Sequence, residues 1–91
     1  GFGGQDRLDP DGRVRDDVRI WNYRGNLNAV LTARREGVPV DGFFAWSYSD
    51  NIEWFLGRGA RFGIVYCDYD DDYRRIPKDS ALWFKDLLTN P

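Results

Sequence analysis

Two indoles around a carboxylate mark the part of this sequence richest in chemistry. The stretch WSYSDNIEW, residues 46–54, sets Trp46 and Trp54 on either side of Ser47, Ser49, Asp50, Asn51 and Glu53, directly after an apolar run at 42–45. A core strand would exclude so many polar groups, and a solvated loop rarely carries two indoles. The mixture suits a surface that holds something both flat and hydroxylated. A pyranose is such an object: its C–H patch packs on an indole face, and its equatorial hydroxyls call for paired donors and acceptors. A carboxylate such as Glu53 would hold two adjacent hydroxyls better than an amide, because charge-assisted hydrogen bonds are stronger.

Composition narrows the alternatives. The 91 residues are enough for one small domain, and 42% hydrophobic against 31% charged is a globular balance that argues against disorder or a membrane protein. Aromatics reach 16%, more than a minimal core needs, so some rings are expected to serve a ligand or an interface. Thirteen basic and fifteen acidic residues give a net charge of -2 with no basic stripe, so nucleic acid is not an expected partner. There is no histidine, which leaves zinc chemistry and His-assisted nucleophiles poorly supported, and no metal or cofactor is expected. The single Cys67 has no internal disulfide partner and mildly favours a reducing, cytoplasmic setting. The glycine-rich opening GFGGQ lacks the Lys-Ser or Lys-Thr of a phosphate loop and reads as a mobile loop. DYDDDY, 68–73, crowds carboxylates but lacks the central Gly and terminal Glu of a calcium loop, so a hairpin turn is expected there.

The elements that must position the 46–54 stretch follow from periodicity. Residues 1–15 read as loop. Ile20, Tyr23, Leu27, Val30 and Leu31 recur at helical intervals and predict a helix over 16–36, with Asp16 and Asp17 at its positive end, Arg34 and Arg35 in its last turn and Gly37 as a left-handed cap. Gly25 within that helix is expected to mark close packing. The nearly continuous apolar run that follows predicts a strand over 40–47, buried on both faces as in parallel sheets. Residues 48–77 then form a long loop and a hairpin, and Ala81, Phe84, Leu87 and Leu88 predict a closing helix over 78–89. Trp21, Trp83 and Phe84 fall in helical patterns and are expected in the core. A lone parallel strand needs neighbours on both sides, and the two helices need a surface to cover, so the elements read as part of a larger β/α structure rather than an autonomous domain. The absence of Met and the glycine-rich start point the same way.

GVPVDGFFAWSYSDNIEW, RFGIVYCDY and RIPKDSALWFKDLL, in this order and spacing, closely resemble the C-terminal quarter of family 1 glycoside hydrolases, the β-glucosidase family. The resemblance covers nearly all of the chain. It implies an α/β fold, the C-terminal part of a (β/α)8 TIM barrel comprising helix 7, strand 8 with its long loop and hairpin, and helix 8. Barrel enzymes keep their chemistry in loops at the C-terminal ends of strands, where 46–54 would lie. By the same resemblance Trp46 would stack on the sugar in the glycone subsite and Glu53 would accept from the C4 and C6 hydroxyls. The Trp54 indole would donate to the C3 hydroxyl, and Phe62 would line the pocket near C6. An acid at Glu53 implies a neutral, unphosphorylated sugar.

The catalytic carboxyl pair of a retaining glycosidase is expected elsewhere. The family's nucleophile is the Glu of a Thr-Glu-Asn-Gly motif ending strand 7, and the resemblance makes Gly1 the last residue of that motif, so the nucleophile would stand two positions before it. The implied partner is therefore a larger N-terminal fragment carrying strands 1–7, and the implied substrate a β-glucoside or related sugar, with neither nucleic acid nor membrane involved. Tyr48, Ser49, Ile52 and Arg58 depart from the family's usual residues, which leaves the aglycone open. The alternative is a non-catalytic carbohydrate-binding or structural assembly fragment.

Overall fold

The computed structural model of the chain describes residues 2–52 and 57–89. The helix expected over 16–36 is observed as α1 (Asp17–Arg35). It ends as its sequence dictates. Gly37 takes a positive φ of 94°, its N–H bonds Arg34 O (3.1 Å), and Val38 N–H reaches back to Ala33 O (3.0 Å). This pair of bonds satisfies carbonyls that the helix leaves open, in a conformation glycine adopts without steric cost.

The inward line of α1 is narrower than its apolar periodicity implies. Arg19 and Tyr23 are its buried residues, while Trp21, expected in the core, is 74% exposed. Trp21 falls two positions from both Arg19 and Tyr23, well round the helix from the face that the described chain covers. Gly25 likewise meets no close neighbour among the described residues: a Cβ there would find nothing within 4 Å.

Residues 40–47, expected as a strand, carry no ladder among the described residues. A parallel strand exists through its neighbours, and no described segment supplies them. Val40 N–H instead turns back on Val38 O (3.0 Å), and Phe44 is 94% exposed. The described sheet is a hairpin: β1 (Val65–Asp68) pairs antiparallel with β2 (Arg74–Pro77), Val65 opposite Pro77 and Asp68 opposite Arg74. Its turn is the acidic 68–73 stretch, in which Asp72 and Tyr73 both take positive φ. An isolated parallel bridge joins Ser49 to Val65 of the hairpin, and a separate antiparallel bridge joins Gly4 to Arg61. The glycine-rich opening is thus tied down rather than loose, by reciprocal 2.9 Å bonds between Gly4 and Arg61.

The closing helix, α2 (Asp79–Thr89), packs on α1 through aromatic edges. Phe84 meets Tyr23 at 4.9 Å between centroids and Trp83 at 5.0 Å, both near perpendicular, and Phe84 and Trp83 are half-buried. The first turn of α2 is capped from a distance: Asp16 accepts from both the backbone N–H and the hydroxyl of Ser80. Asp16 therefore serves α2 and makes no side-chain cap to α1, beside which it lies. The chain is plate-like, 47 × 32 × 18 Å, with a radius of gyration of 14.5 Å. A compact globule of this length would have about 12 Å, so the elements share a face more than they enclose a core. No helix among the described residues is long and apolar enough to cross a membrane.

Asp16 bonds Arg19 as well as Ser80, all three buried, so Asp16→Ala is expected to destabilise the fold by about 3–5 kcal/mol, the usual cost of stranding one member of a buried charged group. A fall in the urea midpoint at unchanged slope measures it. On the exposed N-terminal loop, Arg15 hydrogen bonds and the Arg13 N–H lower the Asp11 carboxyl from 3.8 to about 2. Its folded pKa lies below the unfolded one, so whatever stability it contributes is present above the ordinary carboxylate range and lost as pH falls through about 2. A carboxyl carbon titration should place Asp11 there, and Arg15→Ala should return it towards 3.8.

Candidate functional site

Trp46 and Phe62 are brought together by the backbone. Ser47 N–H donates to Phe62 O (3.1 Å) and Ile64 N–H to Ser47 O (3.0 Å), so the segment leaving Trp46 runs against the segment carrying Phe62. The Tyr23 hydroxyl donates to Trp46 O (3.0 Å), which fixes the same point to α1, and burial raises the pKa of that phenol. The peptide between Trp46 and Ser47 is cis. The Trp46 side chain is 56% exposed, whereas Phe62 is half-buried. The ring of Phe62 lies over Gly3 so closely that a Cβ at that position would come within 2.6 Å of it. Glu53 and Trp54, the other two expected site residues, lie outside the described residues.

What holds this region is a group of charges that periodicity did not single out. Asp50 accepts four hydrogen bonds: from Lys78 Nζ (2.8 Å) and Gly63 N–H (3.1 Å) on one oxygen, and from Arg61 Nη1 (2.7 Å) and Cys67 N–H (3.3 Å) on the other. Lys78 spends its three protons on Asp50, on Asp6 and on Gly63 O (2.6 Å), leaving none for solvent. Asp6 also pairs with Arg19 Nη1 (2.7 Å), which donates in turn to Asp16 (2.8 Å), while Arg19 Nη2 donates to Arg61 O (2.6 Å). Three cations, Arg19, Arg61 and Lys78, thus face three carboxylates, Asp6, Asp16 and Asp50, in one connected group.

Isolated buried charges cost several kcal/mol each, a cost that mutual pairing offsets here. Arg61 shows the balance. Burial is the largest single influence and by itself would lower its pKa, but the Asp50 hydrogen bond and the charges of Tyr66, Asp50 and Tyr69 together outweigh it and the net shift is upward. Its guanidinium also stacks over Tyr66 (4.1 Å) and Tyr69 (4.8 Å), and Arg58 stacks over Tyr69 (4.6 Å). Burial, followed by the nearby Asp50 charge, raises the Tyr69 phenol.

The sequence does hold a signal for this group. Lys78 and Arg19 each stand at the start of a helix, where the macrodipole disfavours cations, and such a local breach calls for an acidic partner from elsewhere. Chemically, the arrangement presents one exposed indole and one half-buried phenyl ring beside the segment leading to Glu53. Fixed beneath them is a buried set of charges with no free proton donors on its lysine. Among the described residues no group of three or more His, Cys, Asp or Glu is arranged to hold a metal ion.

Comparison with known proteins gives this geometry its context. The chain is 52% identical over 75 residues to β-glucosidase 11 of Oryza sativa subsp. japonica, covering 82% of this chain and 14% of that protein. It is 44% identical over 85 residues to β-glucosidase A of Thermotoga maritima, covering 93% and 19% respectively. Its backbone matches the structure of the β-glucosidase from Thermotoga maritima in complex with deoxynojirimycin with a TM-score of 0.94 at 42% identity, over 99% of this chain and 20% of that one. The chain therefore spans a fifth or less of these relatives, and it folds as the matching part of their TIM barrel. The model of glycosyl hydrolase family 1 matches residues 1–91. The resemblance read from the motifs is thereby borne out over the whole length: this chain belongs to glycosyl hydrolase family 1.

Proposed function

We propose that the chain is the glycone-binding C-terminal part of a retaining β-glycosidase of the β-glucosidase type, which hydrolyses terminal β-D-glycosidic bonds. Its catalytic Glu pair comes from the portion of the barrel that carries strands 1–7. The observation that carries this reading is the match, at a TM-score of 0.94, to a β-glucosidase in complex with deoxynojirimycin, a hydroxylated sugar mimic. The backbone bonding of the Trp46 and Phe62 segments to each other supports it, since it sets the two residues on adjacent segments. In this reading Trp46 stacks on the pyranose, Phe62 lines the pocket near C6, Glu53 accepts from the C4 and C6 hydroxyls and Trp54 donates to the C3 hydroxyl. Together they hold a neutral sugar while two carboxyls about 5 Å apart act as nucleophile and acid/base.

Sugar-binding residues of this kind contribute to rate by orientation. They keep the anomeric carbon in line with a nucleophile that they do not themselves supply, and a hydroxyl contact that strengthens as the ring distorts lowers the barrier. An autonomous sugar-binding module is disfavoured by the plate-like shape and by the exposure of Phe44, a large apolar side chain with no cover among the described residues.

The isolated chain is expected not to hydrolyse an aryl β-glucoside. A chimera of the Thermotoga maritima β-glucosidase, its matching segment replaced by this chain, is expected to do so. Turnover by the 91 residues alone, or a folded but inactive chimera, would overturn the reading. In the same chimera Glu53→Gln should weaken deoxynojirimycin binding about 10- to 100-fold, since hydrogen bonds to a charged group contribute about 1.5–3 kcal/mol. Isothermal titration measures that loss.

A further inference from the structure

Asp50 stands three residues before Glu53, and its side chain is fully buried, as is that of Lys78. Neither can touch a sugar. Yet the four donors on Asp50 all come from beyond the 53–54 segment in sequence, three from residues 61–67 and one from the start of α2. The chain entering that segment is held as well, since Asp50 N–H donates to Val65 O (3.0 Å) and Asn51 Nδ2 to Ser49 O (3.2 Å). Lys78 then joins Asp50 to Asp6, in the opening loop whose Gly3 lies under the Phe62 ring. A single ammonium group thus ties the 46–52 segment, through Asp50, to the opening loop on which the Phe62 ring lies.

Stability alone does not account for such a device. A buried ion pair replaced by apolar groups of similar volume is often as stable or more so; what the ionic version adds is direction, because each proton and lone pair accepts one geometry. Two carboxylate oxygens with four donors fix the position of Asp50 from several sides at once.

We propose that Lys78 and Asp50 are positioning residues of the sugar site, a buried clamp that sets affinity by holding the 46–52 segment, which carries Trp46, in register with the segment of Phe62 without contacting the ligand. This rests on the glycone-binding reading above. The test uses the chimera with the parent chain, Lys78→Met and the double variant Asp50→Asn with Lys78→Met, which removes one charge of each sign and so leaves no net buried charge behind. Deoxynojirimycin dissociation constants and aryl β-glucoside kinetics are measured well below each variant's melting midpoint.

A clamp predicts that folded Lys78→Met, and the double variant with it, bind the inhibitor at least about tenfold more weakly, with KM rising by more than kcat falls. A merely structural role would lower the melting midpoint and leave the dissociation constant of the folded protein in place. Inhibitor affinity in the folded variants less than tenfold below the parent overturns the proposal. So does failure of both variants to fold, which would make the pair a determinant of folding. The underlying reading is tested separately: if Glu53→Gln binds the inhibitor as tightly as the parent, the assignment of Glu53 fails whatever Lys78→Met does.

Discussion

The pairing of three cations with three carboxylates, four of the six buried and Arg61 and Asp6 half-buried, is the constraint on which the rest of this structure depends. Arg19 and Lys78 are each enclosed to a degree that would be prohibitive alone, and Asp6, Asp16 and Asp50 make it tolerable. The partners are far apart in sequence: Asp6 lies 72 residues from Lys78 and Asp16 lies 64 from Ser80. Forming the group therefore brings the opening loop, the start of α1, the 47–63 region and the start of α2 to one place. An incomplete set would strand a charge, so these contacts favour forming together.

Apolar burial is the smaller contributor. Among the described residues the buried hydrophobic side chains are Val14, Tyr23, Val65 and Cys67, and the aromatic contacts of Tyr23, Phe84 and Trp83 join the helices at their edges. The hairpin adds direction more than bulk. Lys78 N–H bonds Ile64 O and Asp79 N–H bonds Val14 O, both at 2.9 Å, so the chain enters α2 already bonded to two other segments. The order of effects runs from local propensity in the helices, through long-range charge pairing, to the placement of the exposed indole of Trp46.

Much of this was legible in the sequence, and the failures have physical reasons. Both helices followed from periodicity and end chemistry, and Gly37 announced its own left-handed cap because few other residues stop a helix so cheaply. The strand expected at 40–47 carries no ladder among the described residues, because hydrophobic runs identify residues that want neighbours without supplying them. Trp21 was misplaced for a related reason: a helix carries apolar side chains on a wider arc than the described chain covers. Of the four expected sugar contacts, Trp46 and Phe62 lie on bonded segments, and Glu53 and Trp54 fall outside the described residues. The ionic group is not visible in periodicity, because its partners, such as Asp6 and Lys78, lie as far as 72 residues apart. Lys78 and Arg19 were nonetheless visible as cations placed against a helix dipole.

The ring of Phe62 fills the space that any side chain at position 3 would need. Positions 3 and 62 are therefore coupled in space, though 59 residues separate them. A side chain at position 3 would require the Phe62 ring to move or shrink, and a crossover between the two would separate segments shaped to each other. Anyone exchanging segments among these enzymes to alter what they accept should move the glycine and the phenylalanine together.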